Sequence, residues 1–311
     1  MRRRSLRRGI AVAAGIVLIP FVFALLGDLW WFFELWAHFH GCYAIAYTPW
    51  ALGLYLARVK RMAIVTGITV LLDMMFVVPL WIGPTTSGQP ANLRVMSINV
   101  NTSNRWYRIM HQAVAKEQPD ILVVQETDND WITSLAGIRR EYPYYVERPR
   151  GDNFGIAFYS KYPCSSLEVE DIGPLAIPSI LARLEGFGEL RIVSTHPMPP
   201  TPYRKPFARN EQLAKIAERI RRLDGEVLLI GDLNTSSWTR SFRKLVDRSE
   251  LRDARLGFGR CPTWPGRFAP LGTAIDHALV SEGIEVVDYR VGDFIGSDHR
   301  AIIVDLRVES E

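Results

Sequence analysis

The chain has 311 residues, with 37 Lys and Arg against 33 Asp and Glu, a formal net charge of +4 and three cysteines. The charge is uneven: residues 1 to 83 carry eight basic and three acidic side chains, whereas residues 84 to 311 carry 29 and 30. The high isoelectric point thus belongs to the N-terminal flanks and is not by itself a nucleic-acid footprint, three cysteines specify no disulfide framework, and roughly 220 residues remain for one large core.

Met1 to Arg8 contains five arginines, and Ile10 to Gly27 is uncharged over nearly a bilayer thickness. Asp28, Leu29, Trp30 and Trp31 follow in place of a small-residue cleavage site, so the stretch reads as a retained transmembrane helix and not a signal peptide. Trp30, Trp31, Phe32, Phe33, Trp36 and Phe39 then crowd together, as amphipathic rings do at a headgroup boundary. Gly41 to Ala57 is a second uncharged run, and Met62 to Gly83 a third interrupted by Asp73; the basic Arg58-Val-Lys60-Arg61 separates them. Lys and Arg in short loops stay in the cytoplasm, so three spans starting inside put everything after Pro84 on the non-cytoplasmic face of the plasma membrane. Asp73 at mid-membrane is costly unless it faces other helices, and His38 and His40 read as boundary residues or as metal ligands.

Pro84 to Ala91 is a linker rich in turn formers, dividing a membrane region (1–83) from a second domain (92–311). Asn92 to Asn101 alternates as a strand, Trp106 to Glu117 has helical spacing, and Pro119 to Thr127 is a buried strand ending in Glu126. Asp130 to Tyr142 is a candidate helix and Gly155 to Tyr159 a strand. Glu189 to Thr195 alternates and delivers His196, and a proline-rich loop then leads to an amphipathic helix through Arg222. Val227 to Asn234 reads as a strand buried on both faces, stopping at Gly231 with Asp232 and Asn234 just past its end. Thr273 to Val280 contains Asp276 and His277, and Ser297-Asp298-His299 precedes the strand Ala301 to Leu306. Strands alternate with helices early and pair without them later, so the sheets are mixed.

Polar side chains recur at strand ends: Asn99, Glu126, His196, Asp232, Asn234, Asp298 and His299. Several carboxylates so placed suit a hard cation such as Mg2+, which prefers oxygen ligands. No Cys pair or His-x-x-x-His favours a softer metal, and no glycine-rich phosphate loop supports a nucleotide cofactor.

Ser97-Ile-Asn99, Val124-Gln-Glu126, Ser194-Thr-His196-Pro, Gly231-Asp-Leu-Asn234, Ile275-Asp276-His and Ser297-Asp-His299, in this order, resemble the motif set of the endonuclease/exonuclease/phosphatase superfamily with its DNase I-like fold. The resemblance spans nearly all of residues 92 to 307 and is also similar to membrane-anchored bacterial members. It implies an α/β (α+β) four-layer sandwich, two packed mixed sheets flanked by helices. It further implies Glu126 as the main Mg2+ carboxylate with Asn99 and Asp298 beside it, Mn2+ being an alternative metal. Asp232 and Asn234 would orient water and contact phosphate, His196 and His299 would contact the scissile phosphate, and Asp276 would orient His299. The acidic partner of the first histidine falls to Asp152 or Asn153. Ser160 matches a structural serine, and Arg209 and Gln212 a recurring Arg-x-x-Gln whose alternative is a solvated helix face.

These residue types suit phosphoester hydrolysis, which needs charge neutralised on phosphate oxygens, a positioned water and a proton acceptor, here Asp232 or His299. Three function classes follow. The first is a metal-dependent phosphodiesterase or nuclease; the second a phosphatase or phospholipase acting on lipid or inositol head groups; the third an inactive membrane-bound binding protein. Tyr203 to Arg267 carries fifteen basic and eight acidic residues, so Arg209, Arg240, Arg243 and Lys244 are candidates for a polyanion path or for anionic lipid. Cys164 and Cys261, on the oxidising side, are available to each other as a disulfide.

Overall fold

The computed structural model describes residues 2–188, 190–201 and 205–309; Glu189 and the start of the basic stretch, Tyr203 and Arg204, lie outside them. The N-terminal region is helical: α1 (Arg2–Val17), α2 (Ile19–Leu25), α3 (Trp31–Ala37), α4 (His40–Leu56) and α5 (Lys60–Val77). Pro20, in the first turn of α2, lacks the N–H that would continue α1, which is why the rod breaks at Leu18. Ile10, Ala11 and Ala14 pack with Leu54, Val59 and Ala63, and Leu18, Phe21 and Ala24 with Tyr43 and Tyr47. The start of α1 and the α4–α5 turn therefore share one end of the bundle.

Two stretches, Arg8–Leu25 and Lys60–Trp81, are long and apolar enough to cross a membrane. The uncharged run expected as a middle span forms α4, a helix of 17 residues. Leu52, Leu56, Ile64, Leu71 and Met75 point outward and are largely exposed. Asp73 is fully buried, facing other helices, with His40 Nδ1 2.6 Å from its Oδ1.

The second region supplies β1 (Leu93–Asn99), α6 (Tyr107–Glu117), β2 (Ile121–Gln125), α7 (Asn129–Leu135), β3 (Tyr144–Arg148), β4 (Ile156–Ser160), β5 (Cys164–Ile172), β6 (Ile177–Leu184) and β7 (Arg191–Thr195). After these come α8 (Lys205–Ile220), β8 (Val227–Asp232), α9 (Arg240–Ser249), β9 (Arg252–Asp253), β10 (Asp276–Val280), β11 (Glu285–Val291) and β12 (Ile302–Arg307). They form two six-stranded sheets, ordered β11-β12-β1-β2-β4-β3 and β5-β6-β7-β8-β10-β9. Each sheet has one parallel pair, β1 with β2 and β7 with β8, among antiparallel neighbours.

Because side chains alternate along a strand, β1 sends Val95 inward, against Ile121, Ile180 and Ile230 between the sheets. It sends Met96 and Ile98 outward, against Met110, Val114 and Trp131 under α6 and α7. Similarly Leu228 faces the inter-sheet core, while Leu229 meets Leu213, Ile216 and Phe242 of α8 and α9. The result is helix, sheet, sheet, helix, the four-layer sandwich expected. The candidate helix Asp130 to Tyr142 is shorter than its pattern, passing into a 3-10 turn at Ala136–Arg140. Cys164 and Cys261 are both free thiols, so the disulfide is not formed.

Candidate active site

The carboxyl ends of β1, β2, β7 and β8 lie side by side, and the antiparallel β10 brings Asp276 opposite Asp232. Gly231 makes this possible. Its φ of +148° favours glycine, and a Cβ there would stand 2.2 Å from the Thr195 carbonyl oxygen. Glu126 and Asn234 both adopt left-handed backbone, φ +60° and +50°, which redirects each side chain sharply after its strand.

Asn99 Nδ2 donates to Glu126 Oε1 at 2.8 Å and to Asp232 Oδ2 at 3.0 Å, tying the two sheets together at their rim. Its Oδ1 accepts from the Asn101 N–H, so in this arrangement Asn99 bridges the carboxylates and does not offer them an oxygen. The Asn234 N–H donates to Asp232 Oδ1, and Asn234 Nδ2 to the Pro197 carbonyl. His196 Nε2 lies 3.3 Å from Asp232 Oδ2 and 4.0 Å from Glu126 Oε1. His299 Nδ1 is 2.9 Å from Asp276 Oδ2, leaving Nε2 3.7 Å from Asp232 Oδ2. Asp298 is exposed, and its Oδ1 accepts from Asn101 Nδ2.

Burial and charge work against each other here. Burial alone would lower the His299 imidazole, but the carboxylates of Asp276 and Asp232 outweigh it and push it up to about 10. His196 is likewise raised, burial opposing and Asp232 prevailing. Burial would raise Asp232; the charge of His299 and the hydrogen bond from His196 hold it well below the usual carboxylate range. Asp276 is raised by burial, with Asp232 adding to it.

Asp232, Asp276 and His299 offer ligand-type atoms within 4.8 Å of one another. His299 occupies only Oδ2 of Asp276, whose Oδ1 has no hydrogen-bond partner among the described residues; the rim also presents the carboxylate oxygens of Glu126, Asp232 and Asp298. These oxygens fit a hard divalent ion, and among the described residues Glu126 and Asp232 pair with no basic side chain except the two imidazoles.

Glu126, His196, Asp232, Asn234, Asp298 and His299 line a cleft of about 420 Å³ that also takes in Leu35, His38 and Phe39 from the N-terminal region. Sequence did not place these three at the cleft, because they precede the first motif residue, Ser97, by 58 residues or more with no periodic link to it. Asn101 and Thr102, whose N–H donates to Glu126 Oε2, were also missed; both are polar residues just past a strand end, the signal that marked the others. Asp152 is held by Arg150 and lowered by it, so it does not partner His196, whose Nδ1 has no hydrogen-bond partner among the described residues. Ser160 donates to the Tyr162 carbonyl, as a structural serine would.

Arg209, Arg240, Arg243 and Lys244 are not among the described residues of the cleft wall. Arg240 and Lys244 line a separate cavity with Asp28, Trp31 and Glu34, and Arg243 pairs with Asp28. Arg209 and Gln212 are buried, so the solvated-face alternative does not apply. Arg209 Nη1 donates to the Asn234 carbonyl and Nη2 to Glu34 Oε1 of α3 at 2.8 Å. Removing one partner of a buried pair strands a charge. Glu34→Ala should therefore destabilise the full chain by about 3 kcal/mol, and Glu34→Leu combined with Arg209→Met should recover much of it. Thermal unfolding in detergent checks this, and additive losses would show the pair uncoupled.

Comparison with known proteins gives the same frame. A structure of an endonuclease/exonuclease/phosphatase from Beutenbergia cavernae DSM 12333 matches with TM-score 0.56 at 19% identity, covering 70% of this chain and 72% of the other. Humanized D. rerio TDP2 matches with TM-score 0.58 at 16% identity, covering 70% and 99%. The human Nocturnin catalytic domain with bound sulfate matches with TM-score 0.57 at 16% identity, covering 71% and 94%. No curated protein matches the sequence. Residues 96–299 match the model of the Endonuclease/Exonuclease/phosphatase family, a span holding every motif from Ser97 to His299, and the chain belongs to that family of phosphoester hydrolases.

Proposed function

We propose that the protein is a membrane-anchored, Mg2+-dependent phosphodiesterase. The observation that carries the reading is the convergence of Glu126 and Asp232 beneath two buried imidazoles, with His299 Nε2 left free by its bond to Asp276. When bound, a divalent cation held by Glu126 and Asp298 supplies positive charge to the phosphoryl and leaving oxygens. Asp232, fixed by Asn99 and the Asn234 N–H, takes the acceptor position for the attacking water. His196 and His299 face the phosphate as donors, and Asp276 holds the His299 ring. Water oxygen bonds to phosphorus as the ester P–O bond breaks, and the proton leaves with the product alcohol or phenol.

Anchoring is supported by the two long apolar helices. The start of α1 and the Arg58-Lys60-Arg61 turn share one end of the bundle, while α3 and the end of α5 meet the catalytic domain at the other. By the positive-inside rule this favours three spans and a catalytic domain on the non-cytoplasmic side. A nucleic-acid substrate is the second reading, supported by a structure of D. rerio TDP2 complexed with single strand DNA product at TM-score 0.56 and 16% identity.

The full chain in detergent should hydrolyse bis(4-nitrophenyl) phosphate with Mg2+, lose at least 10²-fold of that rate in EDTA, and regain it when Mg2+ is restored. Hydrolysis indifferent to the chelator would overturn the metal dependence.

A further inference from the structure

We propose that the cleft contains an apolar subsite, built by Leu35 and Phe39 of the N-terminal region with Phe154, Pro199 and Ile275 of the catalytic domain, that holds the hydrocarbon part of a bilayer-resident phosphoester. The inference rests on the hydrolase reading above and names its substrate class.

The cleft is two-sided. Its polar end is the Glu126, Asp232, His196 and His299 cluster, extended by Asn234 and Asp298. The rest of its wall sets the apolar Leu35, Phe39, Phe154, Pro199, Trp264 and Ile275 among polar side chains such as Asp152 and Asn153. Leu35 and Phe39 are both only partly buried, so each keeps surface for an occupant. Apolar surface left in a cleft is stabilised when hydrocarbon covers it, in proportion to the area removed from water. A ligand with a phosphate at one end and an alkyl or acyl chain at the other matches this division; a ligand that is polar throughout does not.

The apolar wall is also continuous with the membrane region. Phe39 packs against the cluster of Leu18, Phe21 and Tyr43, so one ring belongs to the helix bundle and to the cleft at once. The segment carrying Leu35 and Phe39 is rich in Trp and Phe and connects two apolar helices, the position of a headgroup boundary. Its seat on the catalytic domain is fixed by the buried Glu34–Arg209 pair, by Ser241 donating to Glu34, and by Asp28 with Arg243. A phosphoester lying in the adjacent leaflet would thus present its head group to the carboxylates while its chain stays against apolar side chains. A polynucleotide requires cations along its path. Among the described residues no Lys or Arg lines the cleft, and Arg243 is paired with Asp28.

The test uses full-length protein in lipid nanodiscs with Mg2+ and a series of alkyl 4-nitrophenyl phosphodiesters, methyl to octyl, which differ only in chain length. Each methylene taken from water contributes roughly fourfold, so kcat/KM should rise about 10²-fold across the series as the first few carbons enter the subsite. Leu35→Asn and Phe39→Asn should each reduce the octyl-to-methyl ratio at least tenfold. Leu35→Trp, which stays apolar and keeps α3 seated, should move the best substrate to a shorter chain. A flat series overturns the subsite. So does a steep series equally steep in all three variants, because the preference would then come from partition into the lipid. A single-stranded oligonucleotide cleaved with higher kcat/KM than the octyl ester also overturns it, in favour of nucleic acid. If no ester is hydrolysed, the methyl ester included, the hydrolase reading itself fails, an outcome separate from a flat series.

Discussion

Replacing His299 by Ala is expected to lower kcat about 10³-fold and Asp276→Asn about 10²-fold, with the double variant hardly slower than His299→Ala alone. The expectation follows from geometry. The two side chains are buried, the His299 Nδ1 to Asp276 Oδ2 distance is 2.9 Å, and Nε2 is the ring atom that faces Asp232. A carboxylate on Nδ1 fixes the tautomer and the ring plane, and it favours the charged imidazole, which is a better donor to a phosphoryl oxygen. An amide in its place keeps the shape but removes that bias. Once the imidazole is gone, Asp276 has nothing left to orient, so its loss should add little. Single-turnover rates of the four proteins at saturating Mg2+ decide the matter. A double variant showing the product of the two single losses would mean that Asp276 acts independently, and recovery of Asp276→Asn by added metal would make it a ligand.

Glu126→Ala should fail differently, losing about 10³-fold at low Mg2+ and regaining much of the rate as Mg2+ is raised. Glu126 sits in left-handed backbone at the end of β2, with Oε1 turned toward Asn99 and His196 and Oε2 receiving the Thr102 N–H. Its carboxylate contributes mainly to holding a cation, so mass action offsets its absence. An Mg2+ titration of rate and of melting temperature should move together to higher concentration in the variant. If the midpoint were unchanged and the rate stayed low at saturation, Glu126 would be acting on substrate and not on metal.

Much of this was legible in the chain because its signals are local. Period-two alternation marked β1 and β7, short apolar runs ending at turns marked β2 and β8, and six short motifs in order announced the sandwich and the residues at its rim. Strands β3, β5, β6 and β11 were not read. Much of β3 and β5 is exposed or half-buried without clean alternation, and β6 is buried almost throughout, so neither presents the two-sided pattern that signals a strand. Helix α9 was likewise read only as a source of surface charge, although its Phe242 and Leu245 are core residues.

The sequence by itself determined which side chains stand at strand ends, since a strand's periodicity and the turn that stops it are properties of a few neighbouring residues. Only the tertiary structure decided what those side chains meet. It set Asn99 between two carboxylates, with Glu126 from the same sheet and Asp232 from the other. It turned Arg209 from a candidate substrate contact into the buried partner of Glu34, 175 residues away. It also brought Leu35 and Phe39 to the wall of the cleft. Such pairings depend on how two sheets and a helical bundle pack, and packing brings together residues whose separation along the chain leaves no periodic trace.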